Sequence, residues 1–538
     1  MSRSVVIHPF LFAVFPILFI FAHNIDQFTV TVIFIPIIVM TCVAVVSWLA
    51  LGYVLRDTRK AGLIISVFFL LFFSYENFFE GTKALIGRVD WIEGFLARMG
   101  VSAVAIRLFL LLASALLLAV LTYLFTKTRR SLHDLTNIAN VVAGAAVVIS
   151  LTSIAMYEVR ARAVGPHERG TETVEMQPVA LDDDAALPDI YYIILDGYAR
   201  ADVLQETYGY DNTEFLNYLA EEGFHIAEQS RANYCQTALS LASSLNLKYL
   251  DDLAARVGTE YRRRGPLSDV IRDNAVFSFL KRYGYVTVAF ASGWSATEIS
   301  SADNYLTSRW APSELEGELV EMTPIPFVGR TLGLSGWYDM YGLQRERILY
   351  TFDHLAYASG VEGPVFVFAH ILAPHPPFVF GRDGEQIDPA YQFTLKDGND
   401  VIKDGRLTRD EYVQGYRDQL VFTNRKLQST LADILSQSKE PPIIILQADH
   451  GPGSMLDWED PYSTDLRERL SILNAYYLPD EGSADLYDDI TPVNTFRVIL
   501  DRYFGTDYGL LPDKSYFSTW SRPYAFIDVT EELDRNTE

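Results

Sequence analysis

Long uncharged stretches dominate the first 160 residues of this chain, whereas short apolar runs alternate with polar segments after residue 187. A helix that crosses a bilayer needs about 20 mainly apolar residues. We interpret five of the stretches as transmembrane helices within residues 1–157, lying approximately at 8–23, 29–55, 62–75, 108–126 and 138–157.

Basic residues in the loops orient these helices. Arg3 precedes the first stretch, and the loop that follows that stretch contains no Lys or Arg. Two other loops are basic, with Arg56, Arg59 and Lys60 before the third stretch and Lys127, Arg129 and Arg130 before the fifth. Because basic loops stay in the cytoplasm, the N-terminus is predicted to be cytoplasmic. Five crossings then place everything after residue 157 outside.

The remainder of the chain has the pattern of an α/β domain. Residues 158–187 are polar and form a predicted linker, and residues 188–538 form the predicted outer domain. Apolar runs predict strands at 189–195, 285–291, 364–370 and 442–448, and helical patterns lie at 213–222, 272–283, 411–437 and 492–503. This alternation predicts a three-layer α/β sandwich around a mostly parallel sheet.

Charge and cysteine content narrow the classes of function. The chain has a formal net charge of −24, and residues 161–538 carry 32 Lys and Arg against 60 Asp and Glu. Such an acidic domain does not bind nucleic acid through its general field, although it tolerates a divalent metal. The chain contains two cysteines, Cys42 and Cys235, so the outer domain cannot form an internal disulfide. That is common in bacterial envelope proteins.

Two predicted strands end in a carboxylate followed by a glycine. The run at 189–195 leads into Asp196-Gly197, and the run at 442–448 leads into Asp449-His450-Gly451. Open α/β sheets bind ligands at the carboxyl ends of their strands, and Asp beside His is typical of metal sites. The alternative is that these polar residues only meet water where their strands end.

Further candidate residues are a threonine and two histidines. Thr237 lies where a loop enters a predicted helix, which suits either a helix cap or a nucleophile beside free backbone amides. His370 closes an apolar strand, and His375 follows in the proline-rich segment His375-Pro-Pro-Phe. A lone histidine is usually structural, but two beside a core strand indicate a site.

The order of these motifs resembles the sulfatase-like branch of the alkaline phosphatase superfamily. The resemblance covers roughly residues 188–505 and rests on strand-Asp196-Gly, Thr237-Ala-Leu-Ser-Leu, Pro374-His375-Pro-Pro-Phe and Ala-Asp449-His450-Gly. With the preceding hydrophobic stretches, the whole chain is similar to the lipoteichoic acid synthases and phosphoethanolamine transferases of bacterial envelopes.

The resemblance implies a role for each motif. One divalent cation, Zn²⁺ or Mn²⁺ with Mg²⁺ as a further candidate, would be bound by Asp196, Thr237, Asp449 and His450. Thr237 would be the nucleophile and would form a phospho-threonine intermediate. His375 would bind the phosphoryl oxygens or protonate the leaving group.

Several features depart from the family pattern. Asp196 stands where relatives of the lipoteichoic acid and phosphoethanolamine type often have Glu. The segment from Cys235 lacks the Pro and Arg of the formylglycine motif, which disfavours sulfate-ester hydrolysis by that route. Phosphoethanolamine transferases usually carry several disulfides, so their absence favours the lipoteichoic-acid-like side. His370 is a stray candidate for a second metal, but no full ligand set accompanies it.

Other substrate contacts are expected from a few residues near the predicted strands. His370 joins His375 as a candidate contact, and Arg231 offers a bidentate partner for phosphate, although it also suits a surface ion pair. Trp294 lies just past the strand at 285–291, where it either lines the pocket or is an aromatic residue of the core or rim.

The sequence therefore predicts an integral protein of the bacterial inner membrane with a periplasmic catalytic domain. It would transfer a glycerol phosphate or phosphoethanolamine group from a phospholipid to an envelope glycan or lipid. The first alternative is a membrane-anchored hydrolase of the same fold, and the second is an inactive scaffold or sensor. A transporter is disfavoured because the hydrophobic stretches lack charges inside them.

Overall fold

The computed structural model describes residues 5–25, 30–88, 98–99, 102–164, 187–308, 313–334, 339–389, 391, 393–479 and 482–535. The chain divides into two compact units. The first, the helical unit, contains Met1–Arg160 and Ala311–Met340, and the second, the sheet unit, contains Ala161–Trp310 and Tyr341–Glu538. The sheet unit is therefore interrupted in sequence by a segment that belongs to the helical unit.

Apolar helices build the helical unit. Numbered along the chain, they are α1 (His8–His23), α2 (Phe34–Leu55), α3 (Thr58–Phe73), α4 (Tyr75–Gly87), α5 (Ala103–Lys127) and α6 (His133–Val164). Within the described residues, α2, α5 and α6 as far as Val159 are long and apolar enough to cross a membrane.

The first and third predicted spans correspond to α1 and α3, and neither helix alone meets the length and composition required of a span. Helices α3 and α4 pass the same test only together, and they are bent by 51° where they meet. Helix α1 has 16 residues, fewer than the ~20 that a straight span requires. Length and composition thus support three spans, or four if α3 and α4 form one, rather than all five predicted from the sequence.

A seven-stranded mixed sheet forms the centre of the sheet unit. Its strands are β1 (Ile190–Leu195), β2 (His225–Ile226), β3 (Val286–Phe290), β4 (Asn304–Leu306), β5 (Val365–Ile371), β6 (Ile443–Gln447) and β7 (Asn474–Tyr477). The order is β2-β7-β6-β1-β5-β3-β4. Strand β7 runs antiparallel to its two neighbours, and the other pairs are parallel. A separate hairpin joins β8 (Tyr516–Phe517) to β9 (Ile527–Asp528).

The remaining helices continue the numbering. They are α7 (Ala201–Tyr208), α8 (Thr213–Glu221), α9 (Thr237–Ser244), α10 (Asp251–Val257), α11 (Gly265–Arg272), α12 (Ala275–Arg282), α13 (Glu314–Glu321), α14 (Ile325–Thr331), α15 (Met340–His354), α16 (Gly398–Lys403), α17 (Arg409–Gln437), α18 (Leu466–Leu470), α19 (Pro492–Phe504) and α20 (Thr530–Arg535). Of these, α13 and α14 belong to the helical unit.

Helices cover both faces of the sheet because its central strands are apolar on both sides. Along β1, Tyr191, Ile193 and Leu195 enter a core shared with α7, α8, α15 and α17. The alternate residues of β1 enter the opposite core with α9 to α12 and α19. This double burial is typical of parallel strands in α/β proteins, and it gives the layered arrangement that the sequence predicts.

The four predicted strands coincide with β1, β3, β5 and β6 to within about one residue at each end. The helix predicted at 272–283 begins later, at Ala275. The cause is Asn274, whose side chain accepts a hydrogen bond from the amide of Phe277 and so starts a new helix. The predicted boundaries 1–157, 158–187 and 188–538 did not anticipate the assignment of residues 311–340 to the helical unit.

Candidate active site and metal centre

Three neighbouring parallel strands deliver polar residues to one edge of the sheet. Strand β1 lies between β5 and β6, and Ile194 pairs with His370 on one side and with Gln447 on the other. Asp196 follows the end of β1, and Asp449 follows the end of β6. The register therefore brings Asp196, His370 and Asp449 together, as expected at the carboxyl edge of an α/β sheet.

These three residues form a buried cluster of potential metal ligands. One oxygen or nitrogen atom from each of Asp196, His370 and Asp449 lies within 4.8 Å of the others. Asp196 Oδ1, Asp449 Oδ2 and His370 Nε2 are buried and have no hydrogen-bond partner among the described residues. Buried acceptors without a donor are costly, and a cation relieves that cost. The cluster therefore fits a divalent metal ion.

The ring of His370 is oriented by a threonine of the neighbouring loop. His370 Nδ1 lies 2.9 Å from Thr297 Oγ1, and the Thr297 hydroxyl donates to the carbonyl of Trp294. We therefore assign the proton of the ring to Nδ1, which leaves the lone pair of Nε2 facing Asp196 Oδ2 at 3.3 Å. Outer hydrogen bonds of this kind fix metal-binding histidines.

Thr237 and His450 meet beside the cluster. Thr237 is the first residue of α9, and its Oγ1 lies 2.9 Å from His450 Nε2. His450 Nδ1 lies 2.9 Å from the carbonyl oxygen of Gly451 and donates to it. The lone pair of Nε2 therefore faces the hydroxyl, with Asp449 Oδ2 at 3.2 Å and Asp196 Oδ1 at 3.7 Å.

Neighbouring charges and burial shift the pKa values of Asp196, His375 and His450 in different directions. Burial lowers the pKa of His450, and the charge of Arg469 lowers it further. Burial also lowers the pKa of His375, but the carboxylates of Asp196 and Asp397 raise it more, so the net direction is upward. For Asp196, burial raises the pKa, but the neighbouring histidines, His375 first, bring it well below its usual range. His450 is thus held neutral, whereas protonation of His375 is favoured.

His375 is fixed by its backbone and its ring. Its amide donates to the carbonyl of Asp196 at 3.0 Å, and its own carbonyl accepts from Gln419. Nδ1 lies 2.5 Å from the Pro376 carbonyl, and Nε2 lies 3.9 Å from Asp397 Oδ1. His375 is therefore held against the end of β1, next to Asp196.

The structure also shows a buried ion pair that the sequence analysis missed. Arg469, only 1% exposed, donates from Nε to the carbonyl of Cys235, two residues before Thr237. Its Nη1 donates to the Gly451 carbonyl at 3.1 Å and to Asp397 Oδ2 at 2.5 Å. One guanidinium thus connects the loop before the threonine, the strand end that carries His450 and the carboxylate that faces His375.

Trp294 and Arg231, the two remaining predicted substrate contacts, have different neighbours in the structure. Trp294 is half-buried, and its ring centroid lies 6.4 Å from that of His370. Arg231 Nη1 donates to Asp534 of α20 at 2.5 Å. Trp294 therefore borders the metal cluster, whereas the guanidinium of Arg231 is engaged in an ion pair with the C-terminal helix.

The fold and the clustered ligands define an α/β enzyme with a metal-type centre at the ends of β1, β5 and β6. Residues 188–497 match the sequence model described as Sulfatase. This match covers more than half of the chain, and the protein belongs to the sulfatase family. No curated protein matches its sequence.

Solved structures similar to this chain come from several bacteria. The C-terminal periplasmic domain of EcEptC from Escherichia coli has 13% identity and a TM-score of 0.41, over 68% of this chain and 99% of that one. The integral membrane protein lipooligosaccharide phosphoethanolamine transferase A from Neisseria meningitidis has 14% identity and a TM-score of 0.41, over 92% and 95%. The phosphonate monoester hydrolase of Agrobacterium radiobacter has 13% identity and a TM-score of 0.40, over 62% and 80%.

The cluster predicts that metal binding stabilises the fold. We expect the melting temperature of the full-length, chelator-treated protein in detergent to rise when Mn²⁺ or Zn²⁺ is added, because the ion binds only the folded cluster. At a metal concentration 100-fold above Kd, the stabilisation would be about 2.7 kcal/mol. Asp449→Asn should lose most of the increase, as measured by thermal unfolding together with metal content.

Asp303→Asn is the control for this measurement, because Asp303 bonds to Thr287 outside the cluster. That variant should retain the increase whatever its starting stability. A full increase in Asp449→Asn would show that the cation binds elsewhere.

Proposed function

We propose that this protein is a metal-dependent transferase that moves a phosphoryl-linked headgroup, glycerol phosphate or phosphoethanolamine, from a phospholipid to an envelope glycan or lipid. The observation that carries the proposal is the position of Thr237. Its hydroxyl lies at the start of a helix, 2.9 Å from the neutral His450 and beside the buried acceptors of Asp196 and Asp449. Membership of the sulfatase family supports chemistry at an ester of a tetrahedral oxyanion.

The proposed ligands of the cation are those expected from the sequence with one addition. Asp196, Asp449, His450 and the hydroxyl of Thr237 surround one space, and His370 Nε2 adds an imidazole from β5. Carboxylates with imidazoles suit Zn²⁺ or Mn²⁺, with Mg²⁺ as a further candidate. A cation bound there would supply the positive charge that lowers the pKa of a coordinated hydroxyl.

Thr237 would act as the nucleophile of a double displacement. Its Oγ1 forms a bond to the phosphorus of the donor, and the bond from phosphorus to the diacylglycerol oxygen breaks. His375 donates the proton that this leaving oxygen requires, since the neighbouring carboxylates raise its pKa. The proton of the Thr237 hydroxyl passes to water in this first step. A hydroxyl of the acceptor then attacks the phosphorus, returns a proton to His375 and releases Thr237.

Backbone amides and an aromatic ring complete the proposed substrate site. Thr237 is the first residue of α9, and backbone amides at a helix N-terminus suit an anionic phosphoryl group. Trp294 borders the same region beside His370. Arg231 remains a proposed phosphate contact, which would require it to exchange its partner Asp534 for the substrate.

Membrane anchoring would bring this site to its lipid donor. The apolar helices and the basic loops support a multi-pass protein of the bacterial inner membrane, with a cytoplasmic N-terminus and a periplasmic catalytic domain. We propose that α1 and the bent α3–α4 pair also enter the bilayer, which would restore five crossings and place residues 188–538 outside.

The first prediction of this function is a covalent adduct on Thr237. Full-length protein incubated with Mn²⁺ or Zn²⁺ and with phosphatidylglycerol or phosphatidylethanolamine should gain a phosphorus-containing mass on the peptide that carries Thr237. Thr237→Ala should gain none, because it lacks the nucleophilic oxygen. Intact-mass and peptide mass spectrometry would detect the adduct, and its mass identifies the transferred group.

Ser240→Ala is a matched control, since this neighbouring hydroxyl on α9 donates to the Asp449 carbonyl instead. It should still form the adduct. Turnover of the lipid by wild-type protein with no adduct on Thr237 under any quench condition would contradict the covalent route. Lipid cleavage to free headgroup without an acceptor product would favour the hydrolase alternative.

The second prediction concerns Arg469. Lysine carries all of its donors on one nitrogen, so it cannot reproduce the bonds that Arg469 makes to Cys235 from Nε and to Gly451 and Asp397 from Nη1. We expect Arg469→Lys to lower kcat on bis(4-nitrophenyl) phosphate on the order of 10²-fold, the loss typical of a displaced catalytic group. KM should change much less. Steady-state kinetics on folded, metal-loaded protein would measure both.

Arg467→Lys serves as its partner variant, because Arg467 lies on the same short helix but forms a more exposed ion pair with Asp202 and Glu206. It should keep nearly full activity. Equal kcat values for wild type and Arg469→Lys would show that the buried guanidinium does not position the site.

A further inference from the structure

The segment that interrupts the sheet unit carries helices α13 and α14, and we call it the insert (residues 311–340). In sequence it lies between β4 and α15. Strand β4 belongs to the sheet, and α15 packs in the core that covers one face of the sheet. Its own partners are in the helical unit. Leu315 and Leu319 of α13 are buried in the same apolar cluster as Phe12, Ile17 and Phe21 of α1.

Three further contacts join the insert to the ends of the apolar helices. Asn24 Nδ2, just after α1, donates to Glu318 Oε2 at 3.2 Å. The amide of Glu76, at the start of α4, donates to the Met322 carbonyl at 3.2 Å. The ring of Tyr75 stacks on Phe327 of α14, with centroids 6.3 Å apart.

All of these contacts lie at one end of the helical unit. Glu76 also pairs with Arg107, near the start of α5, through two hydrogen bonds of 2.5 and 2.6 Å. The opposite end is marked by Lys60, whose Nζ donates to the carbonyls of Thr126 and Thr128. The basic loops lie at that second end, so the positive-inside rule places the insert at the outer end.

The insert exposes two leucines beside its buried side chains. Pro326 and Phe327 of α14 are buried, whereas Leu332 is 64% exposed and Leu334 is 60% exposed. A single exposed leucine is ordinary. These two follow α14, a helix that packs against the outer ends of the apolar helices. Leucine side chains at the bilayer boundary are stabilised by lipid.

We infer that the insert is an interfacial anchor, with Leu332 and Leu334 embedded in the outer surface of the bilayer. The inference does not depend on the transferase chemistry. The insert would tie the sheet unit to the membrane by two chain connections in addition to the linker at 158–187.

Fluorescence in proteoliposomes tests this placement directly. A Leu334→Cys variant of the full-length protein, carrying Cys42→Ala to remove the exposed native thiol, is labelled with an environment-sensitive dye. It is reconstituted into phosphatidylethanolamine–phosphatidylglycerol vesicles that contain spin-labelled lipids. We expect blue-shifted emission that shallow spin labels quench more strongly than deep ones, since interfacial segments lie about 5–10 Å into the headgroup boundary.

Leu510→Cys is the matched control, a leucine of the sheet unit that is 55% exposed. It should emit as in water and resist quenching. The inference is overturned if the dye at residue 334 behaves like the dye at residue 510. Blue-shifted emission without lipid quenching would also overturn it, because the leucines would then be covered by protein.

A crosslink checks that the insert occupies this position in the folded protein. In the Cys42→Ala background, Asn24→Cys combined with Glu318→Cys should be joined by a short bifunctional thiol reagent, because the ends of the native side chains are in hydrogen-bond contact. Asn24→Cys with Glu316→Cys should be joined much less, since residues 316 and 318 are two apart on α13 and do not share a face of the helix. Equal crosslinking of the two pairs, or none in either, would contradict the docked position.

Discussion

Two buried carboxylates at the ends of adjacent parallel strands impose the constraint on which the rest of the site depends. Asp196 and Asp449 are 3% and 0% exposed, and each keeps one oxygen without a hydrogen-bond donor in the part of the chain that the structure describes. Like charges this close disfavour each other in a medium of low dielectric constant. The surrounding histidines and the buried Arg469 balance part of that charge, and the proposed divalent cation would balance the rest. The same balance holds His450 neutral beside Thr237.

Close packing of backbone keeps these groups in register. A Cβ at Gly451 would lie 2.1 Å from the carbonyl oxygen of Glu468, so the strand that carries His450 reaches α18 only with glycine there. Gly197 has a φ of +73°, a conformation that suits glycine, and its amide donates to Asp449 Oδ1. Gly197 thus allows a sharp turn next to Asp196, and Gly451 allows the backbone to pack closely against α18.

The centre of the site could be predicted from the sequence because its strands are unusually apolar. The runs before Asp196 and Asp449 are buried on both faces. The change from an uninterrupted apolar run to a carboxylate therefore shows in the sequence where each strand ends. Arg469 and Asp397 could not be found in this way. Arg469 lies in Leu-Arg-Glu-Arg-Leu, a charged pattern typical of an exposed helical turn, and only the fold shows that one of its arginines is buried. The insert was missed for a similar reason, since α13 carries four glutamates and its docking partners lie about 300 residues earlier in the chain.

Anomalous diffraction from crystals grown with Zn²⁺ or Mn²⁺ is the measurement that tests the central claim most directly. The account predicts one strong peak bounded by Asp196, Asp449 and imidazole nitrogens, at about 2.0–2.2 Å from its ligands, with Thr237 Oγ1 beside it. A saturating concentration of either metal that leaves this position without a peak, or places the ion elsewhere in the sheet unit, would contradict it.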